Sequence, residues 1–350
     1  MIAASYHFES LESRRHLSSA PPAIVQTNLV SNLPDVAQHQ DANLVNAWGL
    51  APNIGNGVIW TSNNGTGTST LFDTTTNSVL SLAVNVPGAP TGVVVNGGKG
   101  FAVTKDGNSG PARFIYVSED GTISGWNQNV DVNNAIVAVN NSGSGAIYKG
   151  VALAKMGSKQ VLYVANFHDG TIEEYDKNFN KVATTGFVDP NLPDGFAPFN
   201  IQAIGNKLFV AFAKQDADKS DEVAGAGLGA VDVFSSKGKL LNRLTDPQGL
   251  LNAPWGMTIA PKTFSAFKGD LLVGNFGDGH INVFSKKGVL VAQLDNAQDQ
   301  PIVIDGLWGL HTGNGLKSGK NTVFFAAGPD DEANGLLGSL TSTSTIVPPG

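Results

Sequence analysis

Three asparagines end three apolar runs of like pattern. Asn63 closes GVIWTSN, Asn166 closes VLYVAN and Asn275 closes DLLVGN, and each is followed by a glycine-containing turn. Amide oxygens are hard neutral ligands, and three brought to one point would suit calcium. Asparagine in a tight turn also bonds its own backbone, so the spacing leaves both roles open. Asp305, just before Trp308, is the nearest carboxylate that could join such a metal set. A second group is aromatic. Trp48, Trp255 and Trp308 each precede a glycine, in NAWGLAP, NAPWGMTIAP and DGLWGLHTG. Asn46, Lys149 and Asn200 fall at or beside the same place in related segments. Together these residues would line a mouth fit for a small molecule, a carbohydrate or a protein segment. Trp-Gly is equally a packing device, since glycine lets strands approach under an indole. His168, in the turn after Asn166, joins the candidate ligand-binding residues, and with His280 and His311 it could bind a transition metal or act as a base. The cluster Asp216, Asp218, Asp221 and Glu222 lacks the glycine and glutamate of an EF-hand, and reads as a solvated loop or a calcium-ordered lid. No G-x-S-x-G elbow and no H-E-x-x-H are present, so no catalytic residue is assigned.

The elements that must carry these residues repeat six times. The openings are NAWGLAP (46–52), GAPTGVVVN (88–96), YKGVALA (148–154), PFNIQAIG (198–205), NAPWGMTIAP (252–261) and DGLWGLHTG (305–313). After each comes a near-continuous apolar run, as for a strand buried on both faces. A third, alternating run follows, and in five repeats it ends near an aromatic residue: Phe72, Trp126, Tyr175, Phe234 and Phe284. Those aromatics read as packing between neighbouring units. Fourth runs are expected over 77–86, 134–141, 181–189, 239–246 and 289–296, with the extra length falling in loops such as 104–113 and 213–229. A period near 50 residues built of short strands predicts an all-β, six-bladed β-propeller. The sixth repeat has no fourth strand after Leu340, whereas QTNLVSNL (26–33) is unclaimed. The N-terminal strand is therefore expected to close the last blade, leaving no open edge at the seam.

Composition narrows the partners. The formal net charge is −7, and the 22 Lys and Arg are scattered, so no basic face for nucleic acid is expected. No stretch approaches the ~18 apolar residues that membrane insertion needs. Cysteine is absent, so no thiolate site or disulfide is possible. Charged residues are 15%, with Asn, Ser and Thr supplying the polarity instead, a surface common in extracellular or cell-surface proteins.

The blades look like NHL-type six-bladed propellers, the group that includes gluconolactonase and paraoxonase relatives. The run from 27 to 341 resembles an uncharacterised family of exported bacterial propeller proteins, through NLVSNLPDVAQHQDANLVNAWGL, NFHDGTIEEYD and GLLGSL. FESLESRRHLSSA (8–20) resembles the LEPR-type export motif of planctomycete proteins, departing at Ser13, where that motif usually has proline, and at His16. The resemblance implies a tail over 1–25, a propeller over 26–341 and a second tail over 342–350. It transfers no activity, because fold does not give function. The expectation is a ligand-binding or protein-interaction module at one rim. The alternative is a metal-dependent lactonase- or esterase-like hydrolase, because in gluconolactonase-like propellers equivalent asparagines join acidic residues at an axial metal.

Overall fold

A computed structural model describes residues 24–53, 55–313 and 319–342. The two expected tails, with the export-type segment, lie outside the described residues, apart from Ile24, Val25 and Ser342, which are in strands. The described residues form six antiparallel blades and no α-helix. The first strands, from blade 1 to blade 6, are Ala47–Asn53, Pro90–Val95, Tyr148–Met156, Phe196–Ile204, Pro254–Ile259 and Leu307–Thr312. Each pairs only with the second strand of its own blade, so each is the blade's inner edge.

Glycine sets the pitch of the ring. A Cβ on Gly49 would lie 2.7 Å from the Thr91 carbonyl oxygen of the next blade, and one on Gly92 would lie 2.8 Å from Val151 N. At the seam the same relation holds, because a Gly309 Cβ would meet the Trp48 carbonyl oxygen at 2.4 Å. First strands thus approach one another closely because this position has no side chain. The second strands Val58–Asn63, Phe114–Ser118 and Leu271–Asn275 are buried along their whole length. Phe72, Trp126, Tyr175, Phe234 and Phe284 are all buried in separate apolar clusters between blades.

The N-terminal strand closes the ring. Ile24–Ser31 runs antiparallel to Leu336–Ser342, from Ile24 opposite Ser342 to Ser31 opposite Leu336, with a bulge near Leu29. Ile24, Leu29 and Val30 are buried there. Two local expectations change. The segment expected as a loop over 104–113 is mostly a hairpin, Ala102–Lys105 with Asn108–Pro111, turned at Asp106 and Gly107 with φ of 50° and 81°. That Asp-Gly pair is a strong hairpin signal. The fourth run of blade 3 pairs only over Lys181–Val182. Further on, Phe187 has a φ of 63° and buries its ring 5.3 Å from Phe234.

Candidate functional site

Loops before first strands and loops between second and third strands share one rim. On that rim, the residue before the ring glycine comes from each blade in turn: Trp48, Thr91, Lys149, Phe199, Trp255 and Trp308. Two residues before each tryptophan the backbone bends left-handed, at Asn46, Ala253 and Gly306, with φ of 48°, 42° and 61°. The three indoles meet on the axis. Trp308 stacks on Trp48 at 3.4 Å between centroids and on Phe276 at 3.8 Å, while Trp255 stands edge-on to both tryptophans at about 6 Å. Phe167 and Phe199 complete the cluster. The tryptophans are 0–5% exposed, so they plug the channel rather than lining an open mouth. Two indole N–H groups are tied across the ring. Trp255 donates to the Lys149 carbonyl at 3.0 Å, and Trp308 donates to Asn46 Oδ1 at 3.0 Å.

Lys149 lies on this plug with its side chain 1% exposed and its Nζ 5.2 Å from the Trp48 centroid. It donates to Glu119 Oε1 at 2.5 Å and to Asp221 Oδ1 at 2.9 Å. A network continues around the rim. Asn64 donates to Glu119 Oε2 at 2.8 Å, and Asn46 donates to Asn64 Oδ1 at 3.3 Å and to Glu332 Oε2 at 2.7 Å. Burial works against the Lys149 ammonium, but Glu119 and Asp221 outweigh it and hold its pKa above the usual lysine value. Glu222 is half-buried beside this group, and desolvation pushes it up to about 7 against the pull of Lys149. Desolvation also raises Glu332, with repulsion from Glu119 adding to it and the Asn46 hydrogen bond opposing. Four carboxylates therefore gather around one buried ammonium.

They come from alternate blades, and the residue opposite the first strand alternates with them. The residue opposite the position two before the ring glycine (Asn200 in blade 4) is Asn63, Asn166 and Asn275 in blades 1, 3 and 5, but Ser118, Phe212 and Ala327 in blades 2, 4 and 6. In blades 3 and 5 the asparagine holds the aspartate three residues on, Asn166 with Asp169 at 2.9 Å and Asn275 with Asp278 at 3.0 Å. Blades 2, 4 and 6 lack that amide, and their loops carry Glu119, Asp221 with Glu222, and Glu332 to the axis.

The structure brings Asn46, Lys149, Trp48, Trp255 and Trp308 together. Asn200 takes the glycine position of blade 4 and pins it to blade 5 by donating to the Trp255 carbonyl at 2.8 Å. His168 stays on the rim loop of blade 3, its ring against Gly145. The three asparagines are taken up separately. Asn63 donates to Thr68 and Thr70 at 3.1 and 3.0 Å, Asn166 also to Glu173 at 3.0 Å, and Asn275 also to the Leu250 carbonyl at 2.7 Å. Asp305 caps the Asp330 N–H at 2.9 Å, steadying the loop that bears Glu332. Among the described residues no group of three His, Cys, Asp or Glu side chains could hold a metal ion. His311 faces the far end of the channel, apart from the rim.

No family model matches the chain. Uncharacterized protein R648 of Acanthamoeba polyphaga mimivirus is 34% identical over 329 residues, covering 91% of this chain and 80% of that protein. Uncharacterized protein L690 of the same virus is 33% identical over 330 residues, covering 91% and 86%. The chain belongs to their family. The relatives found are thus viral, where the sequence resemblance pointed to bacterial proteins. Solved structures share the fold. A streptogramin B lyase superposes with a TM-score of 0.56 at 10% identity, covering 93% of this chain and all of that one. The aldose sugar dehydrogenase of Escherichia coli gives 0.54 at 14%, covering 91% and all of that chain. A Bacteroides thetaiotaomicron protein of unknown function gives 0.58 at 13%, covering 92% and 76%. Identities this low speak for the propeller alone.

Proposed function

We propose that this propeller is a binding module whose ligand docks on the axial rim, over Lys149. The observation that carries the reading is the pairing of Glu119 and Asp221, from blades 2 and 4, with one buried ammonium, and Glu332 of blade 6 held by Asn46 within reach of the same charge. Propeller packing does not need it. Burying a lysine costs several kcal/mol before its partners compensate, and an apolar residue could fill the same place above the tryptophans. Four carboxylates against one ammonium leave surplus acceptors, so the favoured ligand presents N–H or O–H donors, as an amino sugar or a basic peptide segment does. The charge-poor composition supports work outside the cell or at its surface.

The hydrolase alternative has less support, since the three asparagines that suggested a metal are each engaged in their own blade. The test is calorimetric titration with glucosamine, maltotriose and trilysine. The reading expects the amine-bearing probes to bind better than maltotriose, and Asp221→Asn with Glu332→Gln to weaken them about tenfold or more. Equal binding of all three, or binding untouched by the double variant, would overturn it.

A further inference from the structure

The tryptophan plug divides the axis into two compartments. Beyond it lies a blind channel of about 230 Å³, opening on the face opposite the rim. Its inner end is bounded by Trp255, Asn200 and the ring glycines. Its walls are the inner edges of first strands, along residues 93–95, 151–153 and 201–203. Among the described residues, no Lys, Arg, Asp or Glu lines it. The polar side chains beyond Asn200 are Gln202 and His311. Asn200 is already committed at both ends, to the Trp255 carbonyl and from Ile201 N. His311 Nδ1 lies 2.6 Å from the Thr312 carbonyl. A carbonyl can only accept, so Nδ1 carries the hydrogen and Nε2 keeps a lone pair. Burial lowers the pKa of His311, which keeps the ring neutral at pH 7.

We propose that this channel is a second binding site, for a neutral molecule of mixed polarity that donates one O–H or N–H to His311 Nε2. The lining decides the class. Edge amides and aliphatic groups solvate a neutral molecule, whereas an ion would leave water with no countercharge to meet it. The volume decides the size. A 150 Å³ cavity holds benzene, so this channel takes about nine heavy atoms. The site is separate from the rim, so the rim reading can fail without it.

The test uses probes of one size: phenol, toluene, benzoate and benzylammonium, titrated calorimetrically into the full chain at pH 7. Phenol is expected to bind at one site. Toluene should bind roughly 2- to 13-fold more weakly, the worth of one hydrogen bond, and the two ions not measurably. His311→Phe should bring phenol down to toluene. Gln202→Trp should block all probes. Independently of whether these variants fold, 4-bromophenol soaked into crystals of the wild type provides a second readout, with its hydroxyl expected at His311 Nε2 and its bromine inside the channel on the side of the ring away from His311. Bromine located elsewhere, no binding of phenol, or equal binding of the ions would overturn the proposal.

Discussion

Glu222→Gln should make this protein more stable above neutral pH. Glu222 has an ordinary value of 4.5 and is pushed up to about 7, with desolvation the main cause. A carboxyl whose folded pKa exceeds its unfolded pKa contributes stability fully below the unfolded value and loses it as pH rises through the folded one. The window is therefore about pH 4.5 to 7. The displacement corresponds to about 3 kcal/mol at most. Partial exposure and solvent screening reduce that to about 1–2 kcal/mol. For a chain this long the shift in Tm is about 1–3 °C. The assay is thermal unfolding of wild type and Glu222→Gln in parallel from pH 4.5 to 8. Asp232, which burial pushes up to about 6 despite Arg243, titrates in the same range but is common to both proteins and cancels. The variant should melt higher at pH 8, and the gap should close toward pH 4.5. A gap that is absent at pH 8, or that widens on acidification, would refute the placement of Glu222 in a desolvated acidic rim.

Removing residues 1–35 deletes the closing strand with buried Ile24, Leu29 and Val30, and should cost about 5 kcal/mol by denaturant unfolding, while removing 1–20 should change nothing. Gly309→Ala puts a Cβ 2.4 Å from the Trp48 carbonyl and should cost about 1–3 kcal/mol, whereas Gly143→Ala, with open space around it, should be neutral in the same assay. Trp308→Phe removes stacking area and leaves buried Asn46 Oδ1 without its donor, so a loss of about 2–3 kcal/mol is expected in chemical denaturation. Because Asn166 is held by Asp169 and Glu173, Asn166→Ala should lower the melting temperature equally with and without millimolar calcium; a loss seen only with calcium would restore the metal reading.

The architecture was legible because each blade repeats one physical problem. The ring glycine, the doubly buried second strand and the terminal aromatic are each imposed by contact with a neighbouring blade, so they recur at fixed places. The spare strand before blade 1 and the missing one after Leu340 pointed to the seam. The repeat also placed Trp48, Lys149, Trp255 and Trp308 in one axial layer. It could not show that the indoles stack on one another, because repeat position fixes a Cα and not a rotamer. Glu119 and Glu332 carry no mark in the sequence for a related reason, since their partners Asn64 and Asn46 stand far off in the chain and no local pattern marks the meeting. One signal was available. Asn-x-x-Asp in blades 3 and 5 ties its carboxylate locally, and the even blades lack that asparagine. Asn63, Asn166 and Asn275 themselves bond within their own blades.

The most direct test of the rim reading is hydrogen exchange, followed peptide by peptide, with and without saturating glucosamine or trilysine. Docking over Lys149 predicts added protection in three separated segments, 119–121, 215–223 and 328–335, the loops that carry Glu119, Asp221 with Glu222, and Glu332. Protection confined to the opposite face, or none in these loops with the probe bound, would contradict the account.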